Sequence, residues 1–445
     1  MNTKIRPLTF CLTACLAGIS FLGQVAHGAV IMVSPEQSVQ AAINGASSGD
    51  EIVLQAGSYD EDLNITGKSL TLRAFSLPWS VTSVSILGAS DKSSFLDCQI
   101  LQDINSSNSP LEMKNVNIGG SVNISGASLN ISNSIITGSV NVDQGNLRVF
   151  KSRIDNFLSI NHKTDIGGQN TEALILQSTI GEKLTCKSAH SFIGYNTIRY
   201  SYIEGDSSII GNTFDGRSKR GIGIDVNGSE TKATVGNNLI TSFKTHTTSS
   251  LSDVCVGVRI QGNAKADIIN NIIRDNFDSH SNGSNNRVGM GIYVASTSGT
   301  KIFGNIIYNC YSGGIPSGGV GNRLVWAPTQ GVFLNNNILW KNSNNVNGNL
   351  VGGGVQKFDC INADPKLNND RTLKVDSPCI DAGPPDPQYN DRDGSRNDMG
   401  MFGGHNFITD GRTTNKPTVL GLDIAPIAVP TGGTVTIEST GATVK

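Results

Sequence analysis

One short phrase recurs down most of this chain: an apolar run, a small or polar pair, Asn or Ser, then an apolar pair. It runs from Leu129 to Ile136, Phe192 to Ile198, Ile209 to Phe214, Ala233 to Ile240, Asp267 to Ile273, Lys301 to Ile307 and Phe333 to Leu339. Weaker copies run from Leu111 to Ile118, Leu147 to Ile154 and Leu174 to Ile180. The apolar runs are too short for helices, and one such unit cannot bury its apolar side alone, so the units must stack. Short strands separated by polar turns suit a coil in which each turn lies on the last. The fold class is therefore all-β, a right-handed parallel β-helix.

Taking the Asn or Ser as the register mark gives Asn115, Asn133, Ser152, Ser178, Asn196, Asn212, Asn238, Asn271, Asn305 and Asn337, with steps of 18, 19, 26, 18, 16, 26, 33, 34 and 32 residues. The Asn is expected at a bend that needs left-handed backbone geometry, which Asn tolerates. Stacked amides are expected to hydrogen-bond along the coil. The steps lengthen after Asn212, so the extra residues must leave the coil as loops. Three stand out, 245–253, 278–287 and 311–321, and insertions of this kind often form binding surfaces in repeat proteins. A composition of 37% hydrophobic residues with 51 Gly suits a thin, elongated object with many tight bends.

Lys4 and Arg6 precede an apolar stretch from Leu8 to Val25, and Ala26-His27-Gly28 reads as a cleavage site. Residues 1–28 are thus expected to be a secretory signal peptide, and the mature chain to be secreted or held at the cell surface. Cys11 and Cys15 would leave with it. Six cysteines then remain, and export permits disulfides, with Cys360 and Cys379 the pair expected. The expected organisation is a β-helix over 29–411, with a cap at 30–75, a coil at 76–357 and a closing segment at 358–411. A linker and short β-strand extension follow at 412–445, with a turn at Pro430-Thr431-Gly432-Gly433.

The segment from Ser38 to Tyr59 resembles the entry segment of secreted parallel β-helix proteins, including polysaccharide lyases of the chondroitinase B and alginate lyase type. Its parts have physical sense. Ser38 to Ala46 places Val39, Ala42, Ile43 and Ala46 on one helical face, fit to cap the open end of a coil. Ser48-Gly49-Asp50 turns the chain, and Glu51 to Leu54 is a strand. At the other end, Ala363-Asp364-Pro365, the run Asp376 to Gly383 and the run Asp391 to Gly404 resemble the closing segment of bacterial surface and secreted β-helix repeat proteins.

The resemblance implies a polysaccharide or cell-surface glycan as partner. Lyases of this type need a basic residue near a uronate, often with Ca²⁺ to neutralise its carboxylate. The densest basic cluster, Arg217, Lys219 and Arg220, supplies the candidate catalytic residues, and Arg259, Arg287 and Tyr202 are the candidate carbohydrate contacts. Either set also reads as solvated surface. Asp391, Asp393 and Asp398, with Asp386 and Asn397 nearby, offer hard oxygen ligands suited to Ca²⁺, or else an acidic turn whose carboxylates cap backbone N–H groups. The pectin-hydrolase segment Gly-His-Gly is absent, and Asp206, Asp215 and Asp225 fall on different turns. The balance of 34 basic against 36 acidic residues does not fit a nucleic-acid partner. No later stretch is long and apolar enough for a membrane-spanning helix, and the protein is expected to be a monomer. A non-catalytic surface or adhesin-type protein is the competing reading. The discriminating observation is whether charged and aromatic side chains converge on one face in neighbouring turns.

Overall fold

The computed structural model describes residues 28–76, 78–164, 168–219, 221–245, 254–278, 288–295, 299–312, 323–340, 350–407, 418–425 and 436–442. The expected signal peptide (apart from Gly28), Arg220, Arg287, the turn at 430–433 and nearly all of the three long loops lie outside these residues.

Strands pair in parallel, each with the strand one turn away, and form one continuous coil. Every full turn contributes to three parallel sheets. Sheet A includes the strands Leu147–Phe150, His190–Gly194 and Lys232–Gly236. Sheet B includes Ile272–Arg274 and Ile306–Tyr308. Sheet C includes Gly221–Val226, Val254–Ile260 and Val288–Val294. Inward residues stack in register as a continuous apolar core, as in Leu129, Leu147 and Ala173 of sheet A. This is the right-handed parallel β-helix that the repeat demands.

The N-terminal cap is the helix Val39–Gly45. Ser38 is its N-cap and accepts from the Ala41 N–H at 3.1 Å, while Val39 and Ile43 are buried against the first turn. Glu61, from the strand Gly57–Thr66, accepts the Val39 and Gln40 N–H groups, both at 2.9 Å. An anionic oxygen at free helical N–H groups is a favourable cap.

The column of register residues is an internal hydrogen-bond ladder. Asn212, Asn238, Asn271, Asn305 and Asn337 are fully buried. In each step the backbone N–H and the side-chain amide of one Asn both donate to Oδ1 of the next, as from Asn271 to Asn305 at 2.9 Å. The remaining amide hydrogen reaches a backbone carbonyl, for Asn271 that of Val235 at 2.8 Å.

Two details differ from the sequence reading. Left-handed backbone belongs to the residue before the ladder position: Asn237, Asn270 and Asn336 have φ of 55°, 52° and 48°. For the same reason Asn115 and Asn133, with φ of 56° and 49°, are not ladder members. Their places are taken by Val116 and Ser134, whose backbone N–H groups donate to the hydroxyls of Ser134 and Ser152. Register alone could not separate two adjacent polar positions.

The closing segment does not simply end the coil. It runs back along the outside as a strap. Cys379, Met399 and Met401 pack on Ile272, Ile306 and Ile338 in a second apolar cluster. Asn237 donates to the carbonyls of Met401 and Gly403, and the Tyr195 hydroxyl donates to that of Asn406. The expected Cys360–Cys379 disulfide is absent, and no disulfide joins the six cysteines among the described residues. Cys360 Sγ turns toward the coil carbonyls of Phe358 and Leu334, whereas Cys379 packs under the strap. Burial pushes the Cys310 and Cys379 thiols up to about 12, so neither is a ready nucleophile. The strands Thr418–Ala425 and Thr436–Ala442 pair antiparallel as a separate hairpin. Among the described residues no helix is long and apolar enough to cross a membrane.

Candidate functional site

In sheet C the outward residues form one row along the coil, because parallel pairing keeps their register. Its N-terminal part reads Asn64, Ser85, Asn105, Asn123, Asn141, Ser159 and Thr185. Side-chain amides stack here too, with Asn141 donating to Asn123 at 2.9 Å and Asn123 to Asn105 at 3.0 Å. From the next turn the chemistry changes. The row continues as Tyr202, Asp225, Arg259, Tyr293 and Trp326, on five successive turns.

Arg259 Nε and Nη2 donate to the two carboxylate oxygens of Asp225 at 2.9 and 2.6 Å. Gln261 Nε2 adds contacts to the same oxygens at 3.1 and 3.3 Å. A fork-to-carboxylate pair of this kind is strong and fixed in direction. Beside it, the Tyr202 hydroxyl accepts from Asn227 Nδ2 at 2.7 Å. Lys183 and Lys187 hold their ammonium groups 5.5 and 5.6 Å from the Tyr202 ring centroid, in cation–π contact. At the far end the Arg323 guanidinium lies 4.7 Å from the Trp326 ring centroid.

The corner behind this row is held by three glycines in register, Gly223, Gly257 and Gly291, on adjacent strands of sheet C. A Cβ at Gly257 would stand 2.6 Å from Ile273 Cγ2 and 2.7 Å from the Gly291 carbonyl oxygen. Larger residues there would push sheet C away from sheet B.

The structure thus brings two of the sequence candidates, Tyr202 and Arg259, to one row. Arg217 and Lys219 project into solvent at the end of the strand Thr213–Lys219, just before the chain enters sheet C. Arg217 has φ of 49°, and its backbone N–H donates to Asp215. Asp206 lies in sheet A, away from Asp225 in sheet C, so the aspartates form no paired acid site. Tyr293, Lys183 and Lys187 are not singled out by the sequence, and Asp225 is read there only as an acid on a different turn from Asp206 and Asp215. The usable signal was the stagger between turns, which places residues 34 apart side by side in this region.

The acidic candidates for Ca²⁺ are engaged with the backbone. Asp391 accepts the N–H groups of Asp398 and Gly404, Asp398 accepts that of Asp381 at 2.7 Å, and Asp393 accepts from the N–H and hydroxyl of Ser395. Burial raises the Asp391 and Asp398 carboxyls above the usual range, and neighbouring aspartates add to the rise. Among the described residues no three or more His, Cys, Asp or Glu side chains group as a metal site. The bonding is that of capped turns, and the residues present do not fit a Ca²⁺ cage.

No family model and no curated protein matches this chain. Among solved structures it is similar to a mannuronic acid specific polysaccharide family 6 lyase from human gut microbiota, at 14% identity and TM-score 0.41, over 77% of this chain and 93% of that one. It is also similar to the family 6 polysaccharide lyase Pedsa3628 from Pseudopedobacter saltans, at 14% identity and TM-score 0.32, over 78% and 96% of the two chains. A third is the pectate lyase Pel9A, at 13% identity and TM-score 0.26, over 85% and 97%. At these identities and TM-scores none of them informs the chemistry of this chain.

Proposed function

We propose that this protein binds an acidic polysaccharide along the outer row of sheet C. The observation that carries the reading is the row Tyr202, Asp225, Arg259, Tyr293 and Trp326, which sets aromatic faces and fixed polar groups on successive turns. With strands spaced roughly 4.8 Å apart, these groups recur along the coil axis and suit an extended polymer lying along it. Aromatic rings offer flat apolar faces to sugar rings, and the Asp225–Arg259 pair and Gln261 offer oriented polar groups. Because Arg259 is committed to Asp225, Lys183 and Lys187 beside Tyr202 are the cations nearest that part of the row for a uronate carboxylate, and Arg323 lies beside Trp326 at its far end.

The finer reading is uronate β-elimination, in which a basic group takes the C5 proton next to the carboxylate, a C4–C5 double bond forms as the C4–O glycosidic bond breaks, and the leaving oxygen takes a proton. On this reading Tyr202, Lys183 and Lys187 are the candidate groups for that work, by their closeness to one another. The test is incubation of the protein with a panel of polyuronates, following binding by affinity electrophoresis and β-elimination by absorbance of the unsaturated product. Retardation that is lost in Tyr293→Ala/Trp326→Ala supports the row as the binding face. Unchanged retardation in that variant rules the row out. The amide-lined N-terminal part of the same row, from Asn105 to Ser159, supports the second reading, a structural surface protein, which predicts neither retardation nor product.

A further inference from the structure

We infer that a groove on sheet A is a second binding site, for a polyanionic glycan, independent of the sheet C row. The groove has a volume of 950 Å³ and runs from the turn of Leu147 to that of Lys301. Seven turns at roughly 4.8 Å give it a length of about 29 Å. Its floor includes Leu174, Phe192 and Ile210, and Asn406 of the returning strap also lines it. The tertiary course of the closing segment therefore helps to shape this groove.

Register explains the charge. The outward row along one edge reads Glu172, His190, Asp206, Lys232 and Lys265. Lys232 and Lys265 are direct neighbours on adjacent strands, and Lys301 follows one turn later beside Asp267. Like charges so placed repel one another, and no carboxylate among the described residues forms an ion pair with Lys232 or Lys265. Asp206, next in the row, directs Oδ1 at the backbone N–H of Lys232, 3.0 Å away. Asp267 is partly buried, and burial raises its carboxyl above the usual range despite Lys301, which weakens it as a counter-charge.

Lysines on a convex surface would be ordinary solvated charge. These line a concavity, where low-dielectric walls concentrate their field. An extended anion lying in the groove would cross the lysine pair at the spacing of the strands. A carboxylated glycan has the charge, the length and the apolar ring faces for the lysine edge and the Phe192 floor together.

The test is isothermal titration of the whole protein with a short oligogalacturonate, and with a neutral glucan oligomer as control. Wild type is expected to bind the oligogalacturonate at two sites per chain and the glucan more weakly. The variant Lys232→Glu/Lys265→Glu is expected to lose one site, or to weaken it at least about tenfold, while Lys232→Arg/Lys265→Arg retains it. Both side chains are exposed, so the melting temperature should stay at the wild-type value. Wild-type stoichiometry and affinity in the Glu variant would overturn the proposal, and so would no binding by the wild type. Tyr293→Ala/Trp326→Ala tests the sheet C reading separately: if it leaves both sites intact, that reading fails while the groove stands.

Discussion

Arg259 is locked to Asp225 across adjacent turns of the coil, with two parallel hydrogen bonds of 2.9 and 2.6 Å. The carboxylate is nearly buried and the guanidinium about three-quarters so, with side-chain exposures of 9% and 24%. A residue that reads from the sequence as a free carbohydrate-binding cation is thus half of an ion pair. Removing one partner strands the other in a partly dry site. Asp225→Ala is expected to destabilise by roughly 2–4 kcal/mol, and Arg259→Met by less, because Asp225 keeps Gln261. Denaturant midpoints of both singles and the double measure the coupling. A coupling near zero would show that the pair holds nothing together.

The ladder gives a sharper contrast. Asn271→Ala deprives the backbone N–H and the side-chain amide of Asn238 of their Oδ1 acceptor and takes the amide donor from the carbonyl of Val235, all in the interior, while Oδ1 of Asn305 keeps the backbone N–H of residue 271. The loss is expected to be about 3–5 kcal/mol, since each buried polar group left unmatched costs about 1–3 kcal/mol. Asn105→Ala removes one exposed amide contact and is expected to cost under about 1 kcal/mol. Thermal melts of the two variants side by side decide the matter, and equal shifts would sink the ladder assignment.

At the sheet corner the limiting quantity is volume. Gly257→Ala inserts a methyl where Ile273 and the Gly291 carbonyl already stand within 2.7 Å of its position. Overpacking of this size costs about 1–3 kcal/mol. Because the strain falls under the row that carries Arg259 and Tyr293, polysaccharide retardation should weaken along with the melting temperature. A variant as stable as wild type would mean that the sheets can part there without penalty.

The strap carboxylates predict a pH effect of definite sign. Burial raises the Asp398 carboxyl in the folded state, so the folded protein holds this proton more tightly than the unfolded chain. The stabilising contribution of the protonated form is full below the unfolded value and is lost as pH rises through the folded one. Asp398→Asn mimics the neutral form and should raise the melting temperature at neutral pH. Its gain should vanish as pH falls below the ordinary carboxylate range. A bound Ca²⁺ would reverse the result: the variant would melt earlier than wild type, and a chelator would lower the wild-type melting temperature.

Much of this architecture is legible in the sequence. Recurrence of one apolar phrase requires stacking, and stacking of parallel strands requires that like positions lie above one another. The helix at Val39, the strand at Glu51 and the amide column from Asn196 to Asn337 follow from that rule and from local capping chemistry. Where two polar residues adjoin, as at Asn133 and Ser134, the pattern does not say which turns inward, and backbone geometry decided for Ser134.

The sites are another matter. Tyr202, Asp225, Arg259, Tyr293 and Trp326 are far apart in the chain and share no motif, and what aligns them is the varying amount of chain that leaves each turn as loop. Lys232 and Lys265 meet for the same reason. The strap reaches the groove only because Met399 and Met401 find an apolar seat on the isoleucines of sheet B. The sequence by itself determined the coil, since local periodicity and burial of a short apolar strand admit one stacking. The tertiary structure alone decided which outward residues became neighbours, because that depends on loop lengths and on where the returning chain packs.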